Sequence, residues 1–417
     1  MRRRVVITGL GVIASNGIGK EEFWNALVNG RSGIRRITRF DTSTYSSQIA
    51  GEVDRFDPLD YVSSKNVKRM DRFAQFAVAC AKMAFEDSGL ETIEKDRDKI
   101  GVVFSSAVGG VNFAESQYSV FLEKGLRRVS PFLAISLFAG ASSSQIAIEM
   151  GLKGYSNTIS TACAAGSDAI GHAFHAIRNN LADIIISGGA EAPIVPLTFG
   201  AFCVINGLSS AKNEQPDKAC RPFDRERDGF VMSEGGGAIV LEELEHALKR
   251  SAHIYGEVLG YGTTNDGYSM IQPMPDGEQT AIAIKNAFQD ANIQPEEVNY
   301  INSHGTSTPL NDKLETAVIK KIFGDNAYRI PINSTKSMTG HSLGSSGAIE
   351  LIASALTLEN QFIHPTINYE NPDPECDLDY VPNKGRKSEV DMILSNTLSF
   401  GGKNVALVLS KFSENSY

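Results

Sequence analysis

The sequence predicts an α/β protein of parallel βαβ layers arranged as two packed halves. Strand-like apolar runs alternate with helical segments along the whole chain. At 417 residues the chain exceeds a typical single domain. Composition is that of a globular protein, 42% hydrophobic and 21% charged, with 38 glycines for tight turns and no low-complexity segment or short-period repeat.

Taken in order, the chain opens with basic MRRR and then the apolar run Val5–Thr8. Glycines and polar residues soon interrupt that run, so a β-strand is expected there rather than a secretory leader. Further strands are expected at Ile100–Phe104, Asn157–Ser160, Ile184–Ser187, Ala238–Glu242, Asn299–Asn302 and Met392–Asn396. Helical spacing marks Phe23–Val28, Arg72–Ser88, Ser167–Asn180, Gln279–Ala291, Asp312–Phe323 and Ala348–Leu358. Lys212–Met232 is charged and carries Pro216 and Pro222, which suggests a long ordered loop between the halves. No duplication is visible in the sequence itself.

The totals exclude several classes. A net charge of −9 argues against general nucleic-acid affinity. The five cysteines, at 80, 163, 203, 220 and 376, lack CxxC spacing, so neither a disulfide framework nor a zinc site is implied and a reducing cytosol fits. No apolar run approaches a membrane span.

Four stretches carry candidate chemistry. In NTISTACAAGSDAIGHAFHAIRNN, residues 157–180, a strand runs through small residues around Cys163 into a helix whose Ile170, Ala173, Phe174 and Ile177 share a face. A buried inert thiol is the commoner fate of a lone cysteine. Placement at a helix start favours the thiolate and brings backbone amides near an oxyanion. His304 follows a strand, where α/β folds place active sites, although a surface loop histidine has the same pattern. Lys336 and His341 lie in NSTKSMTGHSLGSSG, a Gly/Ser-rich turn ahead of a helix carrying Glu350, or else a plain αβ connection. Phe400 is an isolated aromatic before Gly401 and Gly402, which permit unusual backbone angles; the bland reading of this stretch is a hairpin turn.

TACAAG around Cys163, RPFDRERDGFVMSEGGG at 221–237, HGTSTP at 304–309, STKSMTGH at 334–341 and SFGG at 399–402 occur in this order. In these motifs and their spacing the chain closely resembles the β-ketoacyl-[acyl carrier protein] synthases, the elongating condensing enzymes of the KAS II type. The resemblance implies a thiolase-type fold of two similar α/β halves in five layers, αβαβα. Residues 1–250 would form the half with the nucleophilic Cys163 and 251–417 the half with the two histidines. It also implies a dimer with its active site at the junction of the halves, and no bound cofactor, since the substrates ride on the phosphopantetheine of an acyl carrier protein.

The implied reaction is a decarboxylative Claisen condensation. Cys163 accepts an acyl group from a carrier thioester, with the backbone N–H groups of Cys163 and Phe400 holding the oxyanion. His304 and His341 donate to the enolate oxygen as malonyl thioester loses CO₂. Lys336 keeps both histidines neutral by like charge, and Glu350 pairs with Lys336. Thr306 and Thr308 bind the phosphopantetheine arm, Phe400 gates the acyl and malonyl sites, and Val108 and Leu133 shape the acyl pocket.

Against the acidic background, Lys65, Lys68 and Arg69 cluster and Arg127–Arg128 form a basic pair. These positions match the family's docking surface for acidic carrier proteins; solvated helix faces are the alternative. Asn206 stands where many relatives carry arginine. Other departures are Ser399 for a glycine, Asn311 before Asp312, and GHSLGSSG for GHLLGAAG. Ser399 is expected to stiffen the Phe400 loop. Asn-Asp and GHSLG resemble the catalytic α subunits of aromatic polyketide synthases, so fatty-acid and polyketide extension both stay open, as do a homodimer and a heterodimer with a homologous chain-length subunit. A non-catalytic chain-length subunit would lack Cys163, and a thiolase would carry a second cysteine in the C-terminal Gly-rich loop. Neither partner nucleic acid nor membrane is expected.

Overall fold

The structure is a computed structural model that describes residues 2–90 and 94–413, the side chains of 94–96 excepted. Its first half contains β1 (Val5–Ala14), α1 (Arg72–Asp87), β2 (Gly101–Ser105), α2 (Ala141–Met150), β3 (Ser156–Ile159), α3 (Ala165–Arg178), β4 (Ile184–Glu191) and β5 (Gly235–Glu243). The second contains β6 (Gly256–Asn265), α4 (Glu278–Ala291), β7 (Tyr300–Asn302), α5 (Pro309–Phe323), β8 (Ile332–Asn333), α6 (Ser346–Asn360), β9 (Met392–Leu398) and β10 (Lys403–Ser410). The opening run is thus a strand, and it extends to Ala14.

The duplication absent from the sequence is plain in the topology. Reading outward from the seam, the strands follow the order β1-β5-β4-β2-β3 in one half and β6-β10-β9-β7-β8 in the other. In both, the second, third and fourth strands in chain order are parallel, and the fifth pairs antiparallel with the fourth on one side and the first on the other. The layers are therefore parallel only in part. The two first strands pair antiparallel, Val5 opposite Val258 and Ile7 opposite Gly256, and fuse the halves into one eleven-stranded sheet that also includes Gly17–Ile18. This is the thiolase-type architecture: α1 and α2 cover one outer face, α4 and α5 the other, and α3 with α6 fills the middle.

Burial explains the sequence of the middle layer. Ile170, Ala173, Phe174 and Ile177 pack in one cluster with Ile349, Leu351, Ile352 and Leu356. Helix α6 is buried from Ser346 to Leu358, so apart from Glu350 it is apolar or small on every side rather than striped. The two helices meet at glycines. A Cβ on Gly166 would lie 2.9 Å from the Ala348 nitrogen, and one on Gly347 2.9 Å from the Ser167 nitrogen.

Two expectations need correcting. Lys212–Met232 precedes β5 and so belongs to the first half, although its end reaches across to pair with the second, through Met232 beside His341. Strands β6 and β10 and the helices Val111–Lys124 and Pro196–Val204 were not foreseen. Among the described residues, no helix is long and apolar enough to cross a membrane.

The glycine crossing generates a prediction. Gly347→Ala should cost about 1–3 kcal/mol of stability by overpacking, visible as a lower denaturation midpoint, and activity should fall with it. A neutral substitution would show that the helices have slack at their crossing.

Candidate active site

Both middle helices begin at the same cleft, each after a one-turn 3₁₀ segment with a positive φ at its start. On the first half that segment is Ala162–Ala164, with Ala162 at φ 51°; on the second it is Leu343–Ser345, with Leu343 at φ 46°. Non-glycine residues held there are strained, and the surroundings must hold them. Around Cys163 this is done by Asp168: one of its oxygens accepts from the Thr161 hydroxyl at 2.9 Å, and the other accepts from the hydroxyl of Tyr261, on β6 of the opposite half.

His341 is held through its backbone. Its N–H donates to the Val231 carbonyl at 2.7 Å and its carbonyl accepts from Ser233 N–H at 3.0 Å. The motif at 221–237 thus pairs with His341 through Val231 and Ser233. His304 follows β7, and the buried Glu315 carboxylate accepts from the N–H groups of His304 (2.7 Å) and Gly305 (2.8 Å). The two imidazoles stand edge to face, centroids 5.4 Å apart at 87°.

Lys336 is 1% exposed and pairs with the equally buried Glu350. Its ammonium lies 3.2 Å from His304 Nδ1. An ammonium has only donors, so Nδ1 accepts and the His304 proton resides on Nε2. Burial, then Lys336, then His341 hold His304 well below its ordinary range; burial and then Lys336 do the same for His341. Like charge therefore assists but does not lead. Burial pushes Glu350 up to about 7 against the pull of Lys336.

Cys163 is also shifted, against expectation. Burial pushes its thiol up to about 11, outweighing the N–H of Phe400, Lys336 and its own N–H. Burial outweighs the helix-start placement and favours the thiol over the thiolate. The N–H groups of Phe400 and of Cys163 itself nevertheless act on the sulfur in favour of its charged form.

Phe400 sits in the hairpin between β9 and β10, with Gly401 at φ 78° and Gly402 at φ 74°. The stretch is therefore a hairpin turn, and Phe400 within it lines the cleft of Cys163. Its ring stacks on Phe202, centroids 6.4 Å apart. Ser399 does not take a positive φ in this conformation. A cleft of about 380 Å³ is lined by Cys163, His304, His341, Thr306, Thr308 and Phe400, with Asn206 and Ser399 also on its wall. The Thr306 and Thr308 hydroxyls are 2.9 Å apart. Asp312 shapes their turn by accepting from Thr306 and Ser307 N–H.

The remaining candidates lie apart from the cleft. Val108 packs with the apolar cluster around Cys163 that also holds Phe199, Phe202 and Phe230. Leu133 is half-buried in Leu133–Ser136 and does not line the cleft of this chain. Lys65, Lys68, Arg127 and Arg128 are exposed; Arg69 is half-buried, its guanidinium 4.8 Å over the Phe132 ring. Asp168, Tyr261, Glu315 and Asp312 escaped sequence reasoning, since each acts on a backbone or hydroxyl that only the fold brings near.

Comparison with known proteins agrees with this geometry. Residues 2–247 match the N-terminal domain of the β-ketoacyl synthase family and residues 255–370 its C-terminal domain. The chain belongs to the β-ketoacyl synthase family. It is 47% identical over 410 residues to 3-oxoacyl-[acyl-carrier-protein] synthase 2 of Coxiella burnetii, covering 98% of this chain and 99% of that one. The corresponding protein of Synechocystis sp. is 48% identical over 411 residues, covering 99% of each. Among solved structures it resembles the ketosynthase of a type II polyketide synthase in complex with its acyl carrier protein (TM-score 0.91, 38% identity, 99% and 100% coverage). It also resembles the ishigamide ketosynthase/chain length factor (TM-score 0.93, 37% identity, with the same coverage). The chain is thus a condensing acyltransferase, a ketosynthase.

The buried histidines make stability depend on pH. Both are neutral in the fold and titrate near 6.5 when unfolded, so below that pH the unfolded state binds more protons and stability falls. Each histidine should contribute about 1.4 kcal/mol per pH unit between 6.5 and its folded value. Glu350 and Glu315, raised by burial to about 7, act oppositely in this window, but they are common to wild type and a His304→Gln/His341→Gln variant. Denaturation from pH 7 to 5 should therefore show wild type losing stability more steeply than the variant. Equal slopes would mean the histidines are charged in the fold.

Proposed function

We propose that Cys163 takes an acyl group from a carrier-protein thioester and that His304 and His341 direct the malonyl half-reaction. The observation carrying this reading is the convergence of one thiol, the Phe400 loop whose N–H favours the charged sulfur, and two buried imidazoles held well below their ordinary range on a single cleft. The thiol attacks the acyl carbonyl, the pantetheine thiol leaves with the proton, and an acyl-Cys163 remains. Malonyl thioester then loses CO₂, and its enolate oxygen is held by the two imidazole N–H groups. The enolate carbon attacks acyl-Cys163 and expels the thiolate, which regains a proton from solvent. The product is a carrier-bound β-ketoacyl chain two carbons longer.

Roles for the other residues follow from placement. The Lys336–Glu350 pair holds His304 neutral and fixes its proton. Thr306 and Thr308 hold the phosphopantetheine arm along the cleft, and Phe400 gates the acyl side. The machinery calls for no bound cofactor. The names and identities of the relatives favour a KAS II type enzyme of fatty-acid synthesis. The second reading, an α subunit of a type II polyketide synthase beside a chain-length partner, draws on the GHSLG motif and the two ketosynthase structures. Either way the enzyme works as a dimer in the cytosol: β3 is an edge strand, and Ile135, Leu137 and Phe138 are about half exposed (51%, 47% and 51%) beside Leu133. A second subunit covering this face completes the acyl pocket.

Intact mass after incubation with an acyl carrier thioester should show one acyl adduct per chain, absent in Cys163→Ala; an equal adduct in the variant would sink the assignment. His304→Ala or His341→Ala should cut CO₂ release from malonyl carrier by roughly 10²–10³ while acylation survives better. Equal losses in both half-reactions would remove the division of labour.

Lys65, Lys68, Arg69, Arg127 and Arg128 form the proposed carrier dock. Reversing Arg127 and Arg128 to Glu should raise KM for carrier-bound substrate, spare a small acyl-thioester mimic, and matter less as salt rises. Equal losses on both substrates would point elsewhere.

A further inference from the structure

The stretch from His341 into the start of α6 carries hydroxyls at Ser342, Ser345 and Ser346, for which the chemistry above has no use. Ser346 Oγ lies 2.8 Å from His341 Nδ1, and Ser342 Oγ lies 3.3 Å from Ser346 Oγ. Both serines are buried, at 3% and 2% exposure. The Ser345 hydroxyl is engaged elsewhere, donating to the Ser342 carbonyl at 2.9 Å. Ser346 is the one partner of the Ser342 hydroxyl among the described residues.

A hydroxyl beside an imidazole nitrogen can donate or accept, so Ser346 alone leaves the His341 tautomer open. Ser342 removes the ambiguity. If Nδ1–H donated to Ser346, the Ser346 proton would turn to Ser342, and the Ser342 proton would be left buried without an acceptor, at a cost of about 1–3 kcal/mol. If Ser342 donates to Ser346 and Ser346 to Nδ1, every proton in the chain is paired. The second arrangement wins, and it puts the imidazole proton on Nε2.

We infer that Ser346, backed by Ser342, is a positioning residue that fixes His341 as its Nε2–H tautomer. The inference rests on the reading that His341 donates a hydrogen bond in the malonyl half-reaction. His304 reaches the same tautomer by a different device, the Lys336 ammonium. One histidine is thus set by a charge and the other by a chain of two hydroxyls.

The test reads the tautomer directly. In full-length protein labelled with ¹⁵N-histidine, the imidazole shifts report which nitrogen carries the proton, and His341→Ala identifies the His341 signals. Wild type should show His341 as Nε2–H. Ser346→Ala should give a mixture of tautomers at His341 and leave His304 unchanged. In the same variant, CO₂ release from malonyl-loaded acyl carrier protein should fall about two- to tenfold, the worth of one net hydrogen bond, while acyl loading of Cys163 stays within twofold. Ser346→Thr keeps the hydroxyl and should restore both signals. Should Ser346→Ala misfold, Ser342→Ala, which releases the orientation of the chain, should shift the tautomer in the same direction. An Nδ1–H tautomer in wild type, or an unchanged one in Ser346→Ala, overturns the inference. Undiminished CO₂ release in His341→Ala would instead overturn the role of His341, whatever the tautomer.

Discussion

The structure depends on the close crossing of two buried helices between two halves of one sheet. Because the halves share a topology, α3 and α6 occupy equivalent places, and both present their N-termini to the same side. Because Gly166 and Gly347 stand at the crossing, those N-termini come within backbone contact. Cys163, the proposed nucleophile, precedes one helix, and His341, the proposed donor, precedes the other. On that proposal, each half of a duplicated fold supplies one share of a site for two chemically different half-reactions.

Burying this junction sets the electrostatics, and burial outweighs every local charge. It raises the thiol, lowers both histidines and raises Glu350. For the histidines that is useful: an enolate oxygen is stabilised by fixed donors, and a neutral imidazole offers its N–H without first giving up a proton. For the thiol it means a nucleophile that loses its proton as it attacks rather than before. The Lys336–Glu350 pair is costly to bury. Its return is a proton fixed at one place on His304, which an apolar pair could not supply.

Much of the site was legible because it interrupts the core pattern. Cys163, His304, His341 and Phe400 each stand in short polar or glycine-rich strings at strand or helix ends, where an ordinary core would be apolar, and those strings match a family in order. What escaped was what the chain brings together from afar. Asp168 and Tyr261 are 93 residues apart and share one short hydrogen bond. Glu315 serves His304 through backbone N–H groups that no side-chain pattern reveals. The sign of the Cys163 shift was missed for a related reason: helix-start geometry is readable in sequence, but the burial of the thiol is not. The duplication hid because it resides in strand order, and glycines in β6 disguise one of its strands.

The acyl side depends least on this chain alone. Val108, Phe199 and Phe202 form one wall near Cys163, but the segment from Leu133 to Phe138 turns apolar side chains outward. Exposed apolar surface of this kind, beside an edge strand, is surface awaiting cover. On the proposed reading, the two sides of the enzyme are specified differently. The site around His304 and His341 is closed within one subunit by buried polar contacts with defined geometry. The acyl side would end at the interface of the proposed dimer, so what the enzyme extends would depend on the subunit that covers it. An identical subunit and a homologous one would then give the same chemistry and different chains.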